Sequence, residues 1–181
     1  MDNKKISITS DSEYKKLLLE LKEKVRNSQL KAGIKVNYEL LNLYWTLGEN
    51  IVKNQGKHSW GDAFIKSLAK DLQKEFPDMK GFSETNIKYI KRWYLFYTKG
   101  LQDVAKIKNN DTNSKRLQPV AKFNERVISL IKQIPWGHNQ RIINKCKTID
   151  EAIYYVNKTI ENGWSRNVLV HQMENRLYER E

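Results

Sequence analysis

Leu68–Tyr97, LAKDLQKEFPDMKGFSETNIKYIKRWYLFY, reads as two amphipathic helices joined by a Pro/Gly turn, and this hairpin sets the fold class. Leu68, Leu72 and Phe76 recur at helical spacing, and Pro77 then ends the first helix because it has no N–H to extend the ladder. Gly81 can take the positive φ that a reversal needs, and Ser83 is placed to accept from the free amides of the next helix. In that helix Ile87, Ile90, Tyr94 and Tyr97 form an i, i+3, i+7, i+10 apolar stripe, with Lys88, Lys91 and Arg92 off it. A helix buried on one side and cationic on the other has the grammar of a helix-turn-helix recognition helix in a major groove. The same spacing also fits two packed helices of an ordinary bundle with a solvated basic face.

The position of the charge favours the first reading. The chain carries 33 Lys+Arg against 21 Asp+Glu, a formal net charge of +12. Residues 84–147 alone hold 14 basic and 4 acidic side chains, so the excess begins with the candidate recognition helix and suits a polyanion. A membrane surface fits less well, because the sequence has no run of about 18 apolar residues and no signal-peptide or lipidation motif. Cys146 has no second cysteine to pair with, which fits a reducing, cytoplasmic setting.

A length of 181 residues bounds the chain at one domain or two small ones, and three prolines leave long helical runs. Ser10 and Glu13 have capping-box spacing ahead of Tyr14, Leu17, Leu18, Leu21 and Val25, which predicts a first helix. Leu40, Leu41, Tyr44, Trp45, Leu47, Ile51 and Val52 predict a second, central one over about 35–53, ending before Gly56. Trp60-Gly61 opens the hairpin, with Asp62 in its first turn. These helices, with the helix-turn-helix-like unit at 60–98, make a first segment, 1–98. A polar basic linker is expected over 99–118, where periodicity fades into Asn, Lys, Asp, Ser and Thr. Lys106, Lys108, Lys115 and Arg116 there are candidates for phosphate contact, or equally a solvated charged loop. The last segment, 119–181, reads as a helix over 120–134 ended by Pro135, then a hairpin turning at Asn162-Gly163. The expectation is an all-α protein of about seven or eight helices.

Several short motifs occur in a specific order. They are Tyr44-Trp45 with Gly48 and Ile51, Trp60-Gly61, Asp71-Leu72 with Phe76-Pro77, and Gly81-Phe82-Ser83 with Asn86. Pro135-Trp136-Gly137-His138-Asn139 and Gly163-Trp164-Ser165-Arg166 follow. Over about 38–172 the chain resembles the N-terminal domain of the YhcG family, bacterial proteins whose full-length members carry a PD-(D/E)XK nuclease domain at the C-terminus. The resemblance implies a helical, DNA-binding module that serves a nuclease lying outside these residues, in the same or another chain.

The residues themselves offer no nuclease site. A PD-(D/E)XK centre needs an Asp and a Glu-x-Lys on adjacent strands to hold a divalent cation and orient water. Glu20-Leu21-Lys22 lies in a helical run, and Pro77-Asp78 with Lys80 lies in a turn. His58, His138, His171 and Cys146 lack metal-ligand spacing, and no Gly-rich phosphate loop occurs, so no metal, cofactor or catalytic residue is expected. His138 is expected to bond to backbone at a tight loop, with Asn139 capping the next helix. The five tryptophans read as core, except Trp136, a loop aromatic held open as an exposed one.

The sequence therefore points to a non-enzymatic module that binds double-stranded DNA. The expected contacts are Thr85, Asn86, Lys88, Lys91 and Arg92, then Lys106, Lys108, Lys115 and Arg116, and Arg166 from the last motif. The alternative is a helical dimerisation or docking module, possible as a homo-oligomer, with little nucleic-acid contact.

Overall fold

A computed structural model describes residues 12–58, 61–109 and 117–181, without the side chains of Asp62 and of 103–123. Among the described residues the protein is all-α, with eight helices and no strand. Ser10, Trp60, Lys115 and Arg116 lie outside them.

The helices predicted around Tyr14–Val25 and over 35–53 are one helix, α1 (Ser12–His58). Nothing between them breaks the ladder: Gly33 weakens a helix by about 1 kcal/mol but keeps its N–H, which proline would not. The chain divides into two compact units, residues 1–36 and 37–181. In the first, the side chains of Leu17, Leu21 and Val25 stand exposed. In the second, Leu41, Tyr44, Gly48 and Ile51 recur every three or four residues and are buried.

The pair predicted over 60–98 is present as α2 (Asp62–Glu75) and α3 (Glu84–Asn109). Phe76 closes α2 by donating its N–H to Leu72 O, Gly81 has φ +128°, and Ser83 Oγ accepts from the Asn86 amide at 3.2 Å. Residues 76–83 make a longer link than the roughly three- or four-residue turn of a helix-turn-helix. α3 is also longer than expected, continuing through residues 99–109 where the sequence predicts a linker. The polar side chains there weaken apolar periodicity without removing backbone donors, so a helix already nucleated propagates through them.

α3 is the hub of the second unit. Its Ile87 meets Ile51, Ile65 and Ala69 of α1 and α2 in one cluster. Its Ile90, Trp93, Tyr97 and Leu101 enter the larger cluster with Leu41 and Tyr44. The remaining helices supply the rest of that core: α4 (Leu117–Ile131), α5 (Trp136–Lys145), α6 (Ile149–Asn162) and α7 (Arg166–Glu174), with the short α8 (Leu177–Arg180) after them. Pro135 does not end α4, which stops at Ile131; it stands immediately before α5, where proline's missing N–H costs no ladder bond. Asn139 is no cap either. It lies fully buried inside α5, its Oδ1 accepting from Trp93 Nε1 at 3.1 Å and its Nδ2 donating to Ile131 O at 2.9 Å.

The last hairpin turns at Gly163 in the left-handed region, and Ser165 Oγ caps α7 by accepting from the Val168 amide.

Candidate nucleic-acid interface

Between Glu84 and Gln102 α3 has one face in the core and one open to solvent. Glu84, Lys88, Lys91, Leu95 and Lys99 follow one another at three- or four-residue spacing along the open face. Lys88, Lys91, Arg92, Leu95, Phe96 and Lys99 line a shallow depression of about 320 Å3 there. Lys88 Nζ pairs with Glu84 at 2.6 Å, which holds that carboxyl below the usual carboxylate range and neutralises the start of the stripe. Lys91 and Lys99 make no ion pair among the described residues. Sequence reasoning missed Lys99, although its spacing from Lys88, Arg92 and Leu95 was legible.

Two predicted contacts are committed elsewhere. Asn86 Nδ2 donates to Gly81 O at 2.6 Å, and its Oδ1 accepts from Trp136 Nε1 at 2.8 Å and from Gln140 Nε2 at 3.3 Å. Those bonds use the side chain to fix the turn before α3 and to bind α5. Arg92 donates to Asn144 Oδ1 at 2.7 Å and to Ile143 O at 2.9 Å. It thereby satisfies a carbonyl in the last turn of α5, where a cation suits the helix dipole. Its charge still borders the open face.

Trp136 is not exposed for base stacking. Its ring packs edge-on against Tyr44 at 5.0 Å and Trp93 at 5.4 Å. Thr85 is exposed beside Lys88. Lys106 and Lys108 lie on the far part of α3 with side chains outside the described set, as are Lys115 and Arg116.

Arg166 belongs to a different place. It opens α7 and lines a depression of about 420 Å3 with Pro135, Gly137, His138, Ser165 and Asn167. His138 bonds to backbone as expected, its Nε2 standing 2.9 Å from Trp164 O. Burial holds its imidazole below the usual range; the Trp164 carbonyl opposes that shift and the Arg166 charge adds to it.

Among the described residues no group of three His, Cys, Asp or Glu side chains could hold a metal ion. No described helix is long and apolar enough to cross a membrane. Glu20 and Lys22 lie on α1, and Asp78 and Lys80 lie in the α2–α3 link, so neither pair stands on strands.

The fold and its basic helix thus define an all-α module. The chain belongs to the DUF1016 N-terminal domain family, whose model matches residues 20–180. That match agrees with the resemblance to the YhcG N-terminal domain read from the motifs. No curated protein and no solved structure shows a significant match.

Proposed function

We propose that this module binds double-stranded DNA in the cytoplasm and positions a PD-(D/E)XK nuclease domain carried in the same or another chain. The observation that carries the DNA part is the open face of α3, where Lys91 and Lys99 stand without ion-pair partners among Lys88, Arg92, Leu95 and Phe96. Cations held on one rigid helix meet successive phosphates without the ordering cost a loop would carry. The nuclease part rests on the family resemblance.

The test is duplex affinity against salt for the wild type and for a variant with Lys88, Lys91 and Lys99 changed to alanine. Each phosphate neutralised contributes a log-log slope of roughly −0.9, so the variant should lose about 2 to 3 units of slope. Its helix content should persist, since alanine is the best helix former and these side chains avoid the core. A matched control changes Lys106, Lys108, Lys115 and Arg116 to alanine; equal or greater loss there would transfer the contact away from the open face. Flat salt dependence in the wild type would remove duplex binding altogether.

A second reading, a docking or dimerisation module, has its own support in the first unit, where Leu17, Leu19, Leu21, Val25, Leu30 and Ile34 are all exposed on α1. Sedimentation across a concentration series reads it directly: a constant monomer mass would remove self-association.

A further inference from the structure

The described residues of the first compact unit, 12–36, form the start of α1 and bury none of their side chains. Tyr14, Leu18, Leu21, Val25, Ser28 and Ala32 alternate by four and three residues along it, which is the spacing of a seam between two helices. Leu21 and Val25 stand about half exposed on that seam, and Leu17, equally exposed, widens its first turns. Leu18, Leu21 and Val25 also line a shallow depression of about 400 Å3 together with Lys22, Arg26 and Gln29.

The charge around the seam is one-sided. The positions directly beside it hold Lys15, Leu17, Lys22, Lys24, Gln29 and Lys31, four cations and no carboxylate. Glu13, Glu20 and Glu23 fall on the remaining faces. None of the four lysines makes an ion pair among the described residues. Flanking charges of this kind choose the partner of a helix seam. A second copy would bring its own four lysines to the same seam with nothing to answer them, whereas Glu or Asp at those positions of another helix would pair with each. A lipid surface fits less well: Leu19, Leu30 and Ile34 stand exposed on the opposite side of the same helix, so its apolar side chains do not gather on one face.

We infer that this stretch of α1 is the docking face for an acidic amphipathic helix, whose apolar seam packs on Leu18, Leu21 and Val25 and whose flanking carboxylates pair with Lys15, Lys22, Lys24 and Lys31. The partner helix belongs to another protein or to a further domain and is recognised by seam and charge together. This deepens the docking reading of the first unit and is independent of DNA binding by α3.

The experiment uses the full chain and a synthetic heptad-repeat peptide with leucine on the seam and glutamate beside it, which keeps the peptide from pairing with itself. Comparison peptides carry lysine beside the seam, or the acidic composition with the leucines moved off heptad spacing. By fluorescence anisotropy the acidic peptide should bind saturably and about tenfold or more tightly than either comparison. Leu21→Gln with Val25→Gln should weaken it by about tenfold or more, with circular dichroism unchanged, because glutamine is a good helix former and neither position is buried. Changing Lys15, Lys22, Lys24 and Lys31 to glutamate should exchange the preference, so that the lysine peptide binds the better. Changing Lys88, Lys91 and Lys99 to alanine should leave peptide binding as it was. Absence of saturable binding, or equal binding of the rearranged peptide, overturns the acidic partner. Binding that survives the change at Leu21 and Val25 but is lost with Lys88, Lys91 and Lys99 overturns the site. A chain that sediments as a dimer and becomes a monomer with Leu21→Gln and Val25→Gln gives the seam to a second copy, which overturns the acidic partner and upholds the docking reading. A monomer that binds no peptide overturns both. Binding to anionic phospholipid vesicles tighter than to the peptide, and lost in the same double variant, gives the face to a lipid surface and overturns the helix partner.

Discussion

Side chains of similar chemistry divide into those that hold the fold and those that face out, and only their partners tell them apart. Asn86 satisfies three groups, so Asn86→Ala strands the Gly81 carbonyl link and the Trp136 indole donor and should cost about 1 to 3 kcal/mol in urea denaturation. Lys91→Ala should stay within roughly 0.5 kcal/mol, having no ion pair to lose. An Asn86→Ala variant as stable as the wild type but weaker on duplex DNA would restore Asn86 as a nucleic-acid contact. His138 supplies a pH dependence. Its folded-state pKa is depressed, chiefly by burial, so below the usual histidine range the unfolded chain takes up the proton more readily than the folded one. Its contribution is complete above about pH 6.5 and is lost as pH falls toward the folded value, with a limiting slope of about 1.4 kcal/mol per pH unit. Denaturation near pH 7.5 and near pH 5.5 checks the sign, and His138→Gln should flatten that interval. Equal stability at the two pH values in the wild type would contradict the assignment.

At the level of helices, contact distance decides which glycines matter. A methyl at Gly48 would fall 2.7 Å from Tyr94 Cβ and 3.1 Å from Ile90 O, so α1 and α3 approach closely because position 48 has no side chain. Gly48→Ala should therefore destabilise by about 1 to 3 kcal/mol, read as a lowered melting temperature, since the obstruction is a packed neighbouring helix. Gly33 lies on the same α1, and a methyl there would meet nothing within 4 Å, so Gly33→Ala should raise helix content and never lower it. If both substitutions behave alike, the close crossing at Gly48 is wrong. The α2–α3 hairpin was legible in advance through Pro77, Gly81 and Ser83, whose backbone roles are local. The end of α3 was not, because beyond Leu101, which still continues the stripe of Ile90 and Tyr97, the sequence turns polar and the helix goes on by propagation from its packed part.

For the whole molecule, the two units differ in what they bury. Residues 12–36 contribute no buried side chain, so a chain starting at Gln29 should keep a single cooperative unfolding transition within a few degrees of the full protein. Loss of cooperativity would show that the N-terminal part of α1 supports the core. The basic excess over 84–147 predicted a polyanion partner, but the structure spends Arg92 on α5 and partly neutralises Lys88 with Glu84.

Helical class, the hairpin at Leu68–Tyr97 and the family membership followed from the sequence by itself, because periodicity, caps and short motifs are properties of neighbours along the chain. Tertiary structure alone decided that Asn86 and Arg92 turn to α5, that Trp136 packs between Tyr44 and Trp93, and that Arg166 meets Gly137 and His138. Those partners lie about 28 to 92 residues apart in the chain, and a side chain's spacing gives the face it occupies but not the helix brought against that face.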